Sequence, residues 1–310
     1  MLKITWADIA GEDESLARCL GVVLEAAGGR RPYDELVSLL GLGAATVAVE
    51  GMNPSWWPTC GRDVALDSTA VLLGMRVREL HPPAAAVGLE RSSEYAAHFR
   101  DSYAPLVRVA LANDQPVLAW CGWPAPAERC WGVIVRAREE ALIGYVGGHD
   151  GQPVELVGPA LQAHVIEDCH PTAATAEQHP ALFEHAVRVA EMWYRGGMRE
   201  GAVRTGAAAW ALWGEVVAQQ VVPAEWHLPA IRAVVDGRRC LAAWLEHIAG
   251  DLNAGQRAIA DEWLDTCAEV AALLAPLVLR PEEATLAKAI AAAGRREAAL
   301  LPRLAKVGHT

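Results

Sequence analysis

The spacing of apolar residues changes once along this chain, near residue 170, and that change limits what the chain can fold into. Up to that point short segments rich in β-branched residues alternate with helical stretches. Val117–Trp120, Cys130–Ala137 and Ala141–Val146 are bounded by Pro and Gly and predict strands, as does Ala163–Glu167. Arg76–Leu80 and Ala45–Val49 predict two more. Between them, Leu16, Cys19, Leu20, Val23, Leu24 and Ala27 form an i, i+3, i+4, i+7 stripe, which predicts a helix over 15–27. Gly28-Gly29 closes that helix, and Pro32 opens another through Leu40. Helices are also predicted from about Asp63 to Gly74 and from about Ser93 to Asn113.

Beyond His179-Pro180 the spacing is helical throughout, with abundant alanine and with Trp193, Trp210, Trp213, Trp244 and Trp263 at core-like intervals. Five helices are expected, near 180–197, 201–221, 228–250, 254–279 and 282–305. The segment Cys169–Gln178 reads as a boundary between a domain over 1–172 and an all-helical domain over 173–310.

Charge narrows the function. A net charge of −11 does not supply the concentrated positive field that nucleic acid or an anionic membrane requires. The N-terminal stretch runs into Glu12, Asp13 and Glu14 before any long apolar core develops, so no signal peptide is expected. The run Val270–Leu279 is too short to span a bilayer. Seven irregularly spaced cysteines read as reduced thiols. The expectation is a soluble cytoplasmic protein with no nucleic-acid or membrane partner.

The stretch Ser15–Gly28, followed by Pro32-Tyr33-Asp34-Glu35-Leu36, resembles the nucleophile helix and next helix of the butirosin biosynthesis protein H-like acyltransferase family. That family has a papain-like, peptidase-like domain related in architecture to the bacterial bacteriocin-processing cysteine peptidases. The stretch Gln115–Trp120 through Cys130–Val135 is similar to its strand pair bearing the catalytic histidine. The helical C-terminal region resembles the extension often fused to such domains. The resemblance implies an α+β, papain-like domain with helix 15–27 packed on an antiparallel sheet made largely from 117–167, and only helices after about 180.

Aligned on Gly28, the family's nucleophilic cysteine falls on Ser15, and its histidine, in a Gly-His-aromatic-Val context, falls on or beside Trp131. The resemblance therefore implies a domain that has lost its catalytic pair. The local chemistry agrees: a helix N-terminus activates a thiol through its free N–H groups, and Glu12, Asp13 and Glu14 oppose any anion there. Ser15 reads as a cap or first-turn residue, and Cys19, one turn inside on the apolar stripe, as a buried structural thiol.

Three functions stay open. A degenerate domain could bind a small molecule or peptide in the old cleft, lined by Trp131, Trp56 and Trp57 with Glu128, Asp63 and Tyr33 as polar anchors. An acyltransferase or amide hydrolase could use Ser15 or Cys19 with a histidine such as His149. A structural protein could dock through the helices, with itself as one candidate partner. No zinc spacing, phosphate loop or dinucleotide fingerprint stands in the sequence, so no cofactor and no metal are expected. His164, Asp168, Cys169 and His170 form the one group with ligand chemistry.

Overall fold

The computed structural model describes residues 2–9, 14–49, 65–80, 94–171, 175–196, 203–220 and 223–306. In chain order its elements are α1 (Ser15–Ala26), α2 (Tyr33–Leu39), β1 (Val47–Val49), α3 (Leu66–Leu72), β2 (Met75–Glu79) and α4 (Glu94–His98). A π-helical turn, Phe99–Tyr103, leads into α5 (Ala104–Ala112). Then come β3 (Val117–Trp120), β4 (Trp131–Arg138), β5 (Ala141–Tyr145), β6 (Val154–Glu155) and β7 (Gln162–Cys169). The last part holds α6 (His179–Arg195), β8 (Val203–Thr205), α7 (Gly206–Ala218), α8 (Leu228–Ile248), α9 (Ala254–Leu279) and α10 (Glu283–Leu304). The protein is thus α+β with antiparallel strand pairing, as the alternating periods predict.

The chain divides into two compact units that interleave: Met1–Pro32 with Gly61–Ala173, and Tyr33–Cys60 with Ala174–Thr310. One division falls between Ala173 and Ala174, and residues 33–60 group with the C-terminal part.

In the first unit the strands form one antiparallel sheet in the order β2-β7-β3-β4-β5-β6. Successive strand residues face opposite sides. Val117, Ala119, Ile134 and Val165 pack with Tyr95, Phe99 and Val107 from α4, the π turn and α5 on one side. The expected single helix over 93–113 is interrupted by that turn. Cross-strand pairing places Leu118, Trp120, Trp131, Val133, Gln162 and His164 on the other side. There α1 lies against β4. The predicted stripe is what α1 buries: Leu16, Cys19, Leu20, Val23 and Leu24 are each at most 1% exposed. Gly28 ends the helix at φ +88°, and a Cβ on Gly29 would stand 2.2 Å from Pro171.

In the second unit α2 packs on α6 and α8, and α7 to α10 build a helical core. Trp193, Trp210, Trp213, Trp244 and Trp263 are all buried, as their spacing predicts. Trp210 and Trp213 stack with centroids 5.5 Å apart, and Trp263 Nε1 donates to Tyr194 Oη at 3.3 Å. Asn253 and Gln256 close a capping box at the start of α9.

One expectation fails here. The region after 180 is not purely helical, because β8 pairs antiparallel with β1, Val47 opposite Thr205 and Val49 opposite Val203. All three residues of β1 are buried, and buried backbone N–H and C=O groups require partners. The distant segment 203–205 supplies them, and three residues are too few to display a strand period in the sequence.

The segment leading into β1 is held by a buried ion pair. Arg238 is fully buried, and its Nε donates to Glu297 Oε1 at 2.6 Å. Its Nη1 donates to the carbonyls of Gly43 and Ala45, and Nη2 to the carbonyl of Ala44 and to Thr46 Oγ1. Glu297 also accepts from Trp210 Nε1 at 2.7 Å. The approach needs two glycines: a Cβ on Gly43 would stand 2.8 Å from Leu241, and one on Gly237 3.0 Å from the Leu42 carbonyl.

Replacing Arg238 with Met should lower the unfolding free energy by about 3–5 kcal/mol in urea titrations, because Glu297 would remain buried without its counter-charge. Adding Glu297→Leu should recover only part of that loss, since the carbonyls of residues 43–45 would still lack donors. Full recovery would show that the loss came from the uncompensated carboxylate and not from the carbonyl contacts.

Candidate functional site

The expected site is the side of the sheet that faces α1. Glu14 is the N-cap of α1, with extended backbone and no side-chain capping bond, and is buried at 4% exposure. Ser15 is therefore the first helical residue, as predicted. Its Oγ accepts from the backbone N–H of Trp131 at 3.0 Å, a bond that ties the start of α1 to the start of β4.

Trp131 is 1% exposed, and its ring centroid lies 5.7 Å from that of His164. The inward orientation expected of the position aligned with the family's histidine is what the register produces. Trp131 pairs with Trp120, and Trp120 with Gln162, so the three share one side of the sheet with His164 two residues along β7. The tryptophans that crowd this strand pair do not line one cleft. Trp123, 1% exposed, packs on Gly132 from the opposite side and donates to the Ala119 carbonyl at 3.2 Å. Trp120 is half-buried and donates to the Arg129 carbonyl at 3.1 Å.

Glu128 is exposed in the loop before β4. Tyr33 lies in the second unit, where its hydroxyl reaches Asp236 Oδ2 at 3.4 Å. Trp56, Trp57 and Asp63 lie outside the described residues.

The nucleophile candidates fare as their positions predict. Cys19 is fully buried, and burial pushes its thiol well above the usual range, with Cys130 adding to the rise and Arg18 opposing it. Burial, then Glu128 and Glu14, raises Cys130 as well. Among the described residues neither Ser15 nor Cys19 has a hydrogen bond to a histidine. His149 sits in the turn after β5, half-buried. That turn is held by Asp8, whose Oδ1 accepts from Trp6 Nε1 and the Gly148 N–H and whose Oδ2 accepts from the Asp150 N–H. Burial would raise the Asp8 carboxyl, but these bonds together hold it below the usual carboxylate range.

Residue spacing marks His164 only as a metal ligand, and the structure gives it a different setting. It is 7% exposed, and burial holds its imidazole down to about 4. Its Nδ1, Trp131 Nε1 and Gln162 Oε1 are all buried without a hydrogen-bond partner. Three such atoms on one side of one sheet are unusual in a native fold. The signal was present in the alternation of β7, which puts Gln162 and His164 beside Leu118 and Trp120. Asp168 and His170 pair at the exposed end of that strand, 3.0 Å apart. Among the described residues no three His, Cys, Asp or Glu side chains are grouped to hold a metal ion, and no helix is long and apolar enough to cross a membrane.

Comparison with known proteins yields no matching family model and no matching curated protein.

Two outcomes follow. Because the folded protein keeps His164 neutral down to about pH 4 while the unfolded chain protonates it below 6.5, stability should be full above pH 6.5 and fall as pH drops from 6.5 to 4. The loss attributable to this residue is on the order of 3 kcal/mol, and His164→Leu should flatten that part of a urea-midpoint profile. Separately, iodoacetamide at neutral pH should label Cys19 no faster than the rate of local opening, as followed by mass spectrometry. Rapid stoichiometric labelling abolished by Cys19→Ser would restore a nucleophilic role.

Proposed function

We propose that this chain is a catalytically degenerate protein of papain-like fold that works as an interaction protein through its helical unit. The observation that carries the loss of catalysis is Trp131. Its backbone N–H engages the Ser15 oxygen at the start of α1, and its indole is buried beside His164 on the side of the sheet that faces α1. A nucleophile needs a base within hydrogen-bond reach, and a buried indole offers none and excludes water. Cys19 has a raised thiol pKa and a position inside the helix, which work against thiolate formation. The papain-like assignment is supported by a leading helix laid on one side of an antiparallel sheet, its first residue against the strand aligned with the family's histidine-bearing strand. Reduced cysteines and the acidic charge fit a cytoplasmic setting.

A second reading, a small molecule or peptide bound in the former cleft, is favoured by one observation. Trp131 Nε1, His164 Nδ1 and Gln162 Oε1 are polar groups that a ligand with donors and acceptors would satisfy.

Trp131→Ala separates the two. If the ring is a packed wall, the change should cost about 3–5 kcal/mol in urea titrations, with no activity toward peptide amides or acyl thioesters before or after. Near-wild-type stability together with loss of binding in a small-molecule thermal-shift screen would favour the cleft reading. A covalent acyl adduct on Ser15 or Cys19, found by mass spectrometry after incubation with acyl thioesters, would refute the non-catalytic assignment.

A further inference from the structure

A groove of about 510 Å³ runs between α7 and α10 in the second unit. Its floor includes Ala207, Ala211, Gly214 and Ala218 on α7. The same residue types recur at the same spacing on α10, as Ala287, Ala291, Gly294 and Ala298. The contacts repeat as well. A Cβ on Gly294 would meet Trp210, four residues before Gly214, and one on Gly214 would meet Ile290, four residues before Gly294. Turning α7 onto α10 interchanges these contacts, so the groove carries a local two-fold relation in its own surface.

The two glycines differ in what requires them. At Gly294 an added Cβ would stand 2.8 Å from the Trp210 Cβ, so packing within the unit excludes a side chain. At Gly214 the nearest atom is Ile290 Cγ2 at 3.7 Å, an ordinary contact that alanine would tolerate. A mid-helix glycine weakens a helix relative to alanine, and nothing inside the unit demands this one. Close approach by something outside it would.

The charges identify the occupant. Each glycine is followed by a charged, exposed side chain of opposite sign, Glu215 on α7 and Arg295 on α10. Neither forms an ion pair among the described residues. An acidic or basic partner would satisfy one of them and oppose the other. A surface with the same apolar floor on both helices and opposite charges at matching places is complementary to itself. That is what an isologous two-fold interface requires.

We propose that the α7–α10 groove is a homodimer interface, in which α7 of one protomer lies across α10 of its partner and Glu215 pairs with the partner's Arg295 on both sides. Alanine and glycine at the crossing permit the short interaxial separations of about 8 Å seen where small side chains meet. This inference rests on the interaction reading above and names its partner as a second copy of this chain.

The test is sedimentation velocity and light scattering on the full chain. A dimer is expected, and Gly214→Leu, which fills the groove from a half-buried position, should raise the dimer dissociation constant at least tenfold with unchanged circular dichroism. Glu215→Arg and Arg295→Glu should each weaken the dimer, and the double exchange should restore it to within a few-fold of wild type. A monomer at every reachable concentration overturns the proposal and leaves the groove to another chain or to solvent. A dimer indifferent to all three variants overturns it too, by placing the interface elsewhere. Neither result bears on the missing catalytic pair, which acyl-adduct mass spectrometry tests independently.

Discussion

The Arg238–Glu297 pair organises the second unit. Removing two charges from water is costly, and the pair is tolerable only because every donor of the guanidinium is directed at an acceptor. Burial alone would lower the Arg238 pKa, yet the Glu297 carboxylate beside it raises the net value. The arrangement fixes three things at once: the path of residues 43–46, the position of α10 against α8, and the Trp210 ring that Glu297 accepts from. Trp210 in turn meets Gly294 and stacks on Trp213. The charged centre and the apolar core beside it are one construction.

The first unit has no comparable centre and relies on the two sides of its sheet. One side buries an apolar cluster closed by the interrupted helix over 94–112. The other, under α1, mixes apolar bulk with buried polar atoms, and Ser15, Trp131, His164 and Gln162 meet there. A catalytic domain would use such a side for chemistry. Here the serine oxygen holds a backbone N–H, the indole fills space and burial keeps the imidazole neutral down to about pH 4.

Much of this was legible in the residues. The stripe from Leu16 to Leu24, the strands at 117–120 and 131–138 and the helical spacing after 180 all carry a period that burial enforces. The inward direction of Trp131 followed from alternation along β4 and from the resemblance of that strand to one bearing a histidine. What escaped was non-local. Arg238 stands in a helix among Gly237, Arg239 and Cys240 and looks like a solvent-facing charge, since its partners are 193 positions away in sequence at Ala45 and 59 away at Glu297. Tyr33 sits beside a helix resembling a catalytic one, yet contacts Asp236 across 203 positions. Neither distance leaves a mark on local spacing.

The interleaving of the two units has a consequence for how the protein is made. Residues 43–49 emerge early in synthesis, but their hydrogen-bond partners, β8 and Arg238, emerge only after residue 200. Contacts of such large sequence separation close slowly, and until they close, an apolar strand and a run of carbonyls at 43–46 have no native partners. The first unit meanwhile has to assemble around that unfinished insertion, from Met1–Pro32 and Gly61 onward. A fragment cut at the change of period near 173 would have no stand-alone counterpart on either side: one piece would carry a segment with nothing to pair, and the other a buried guanidinium with its carbonyls removed. The visible seam in the sequence is therefore not a place where the folded protein can be divided.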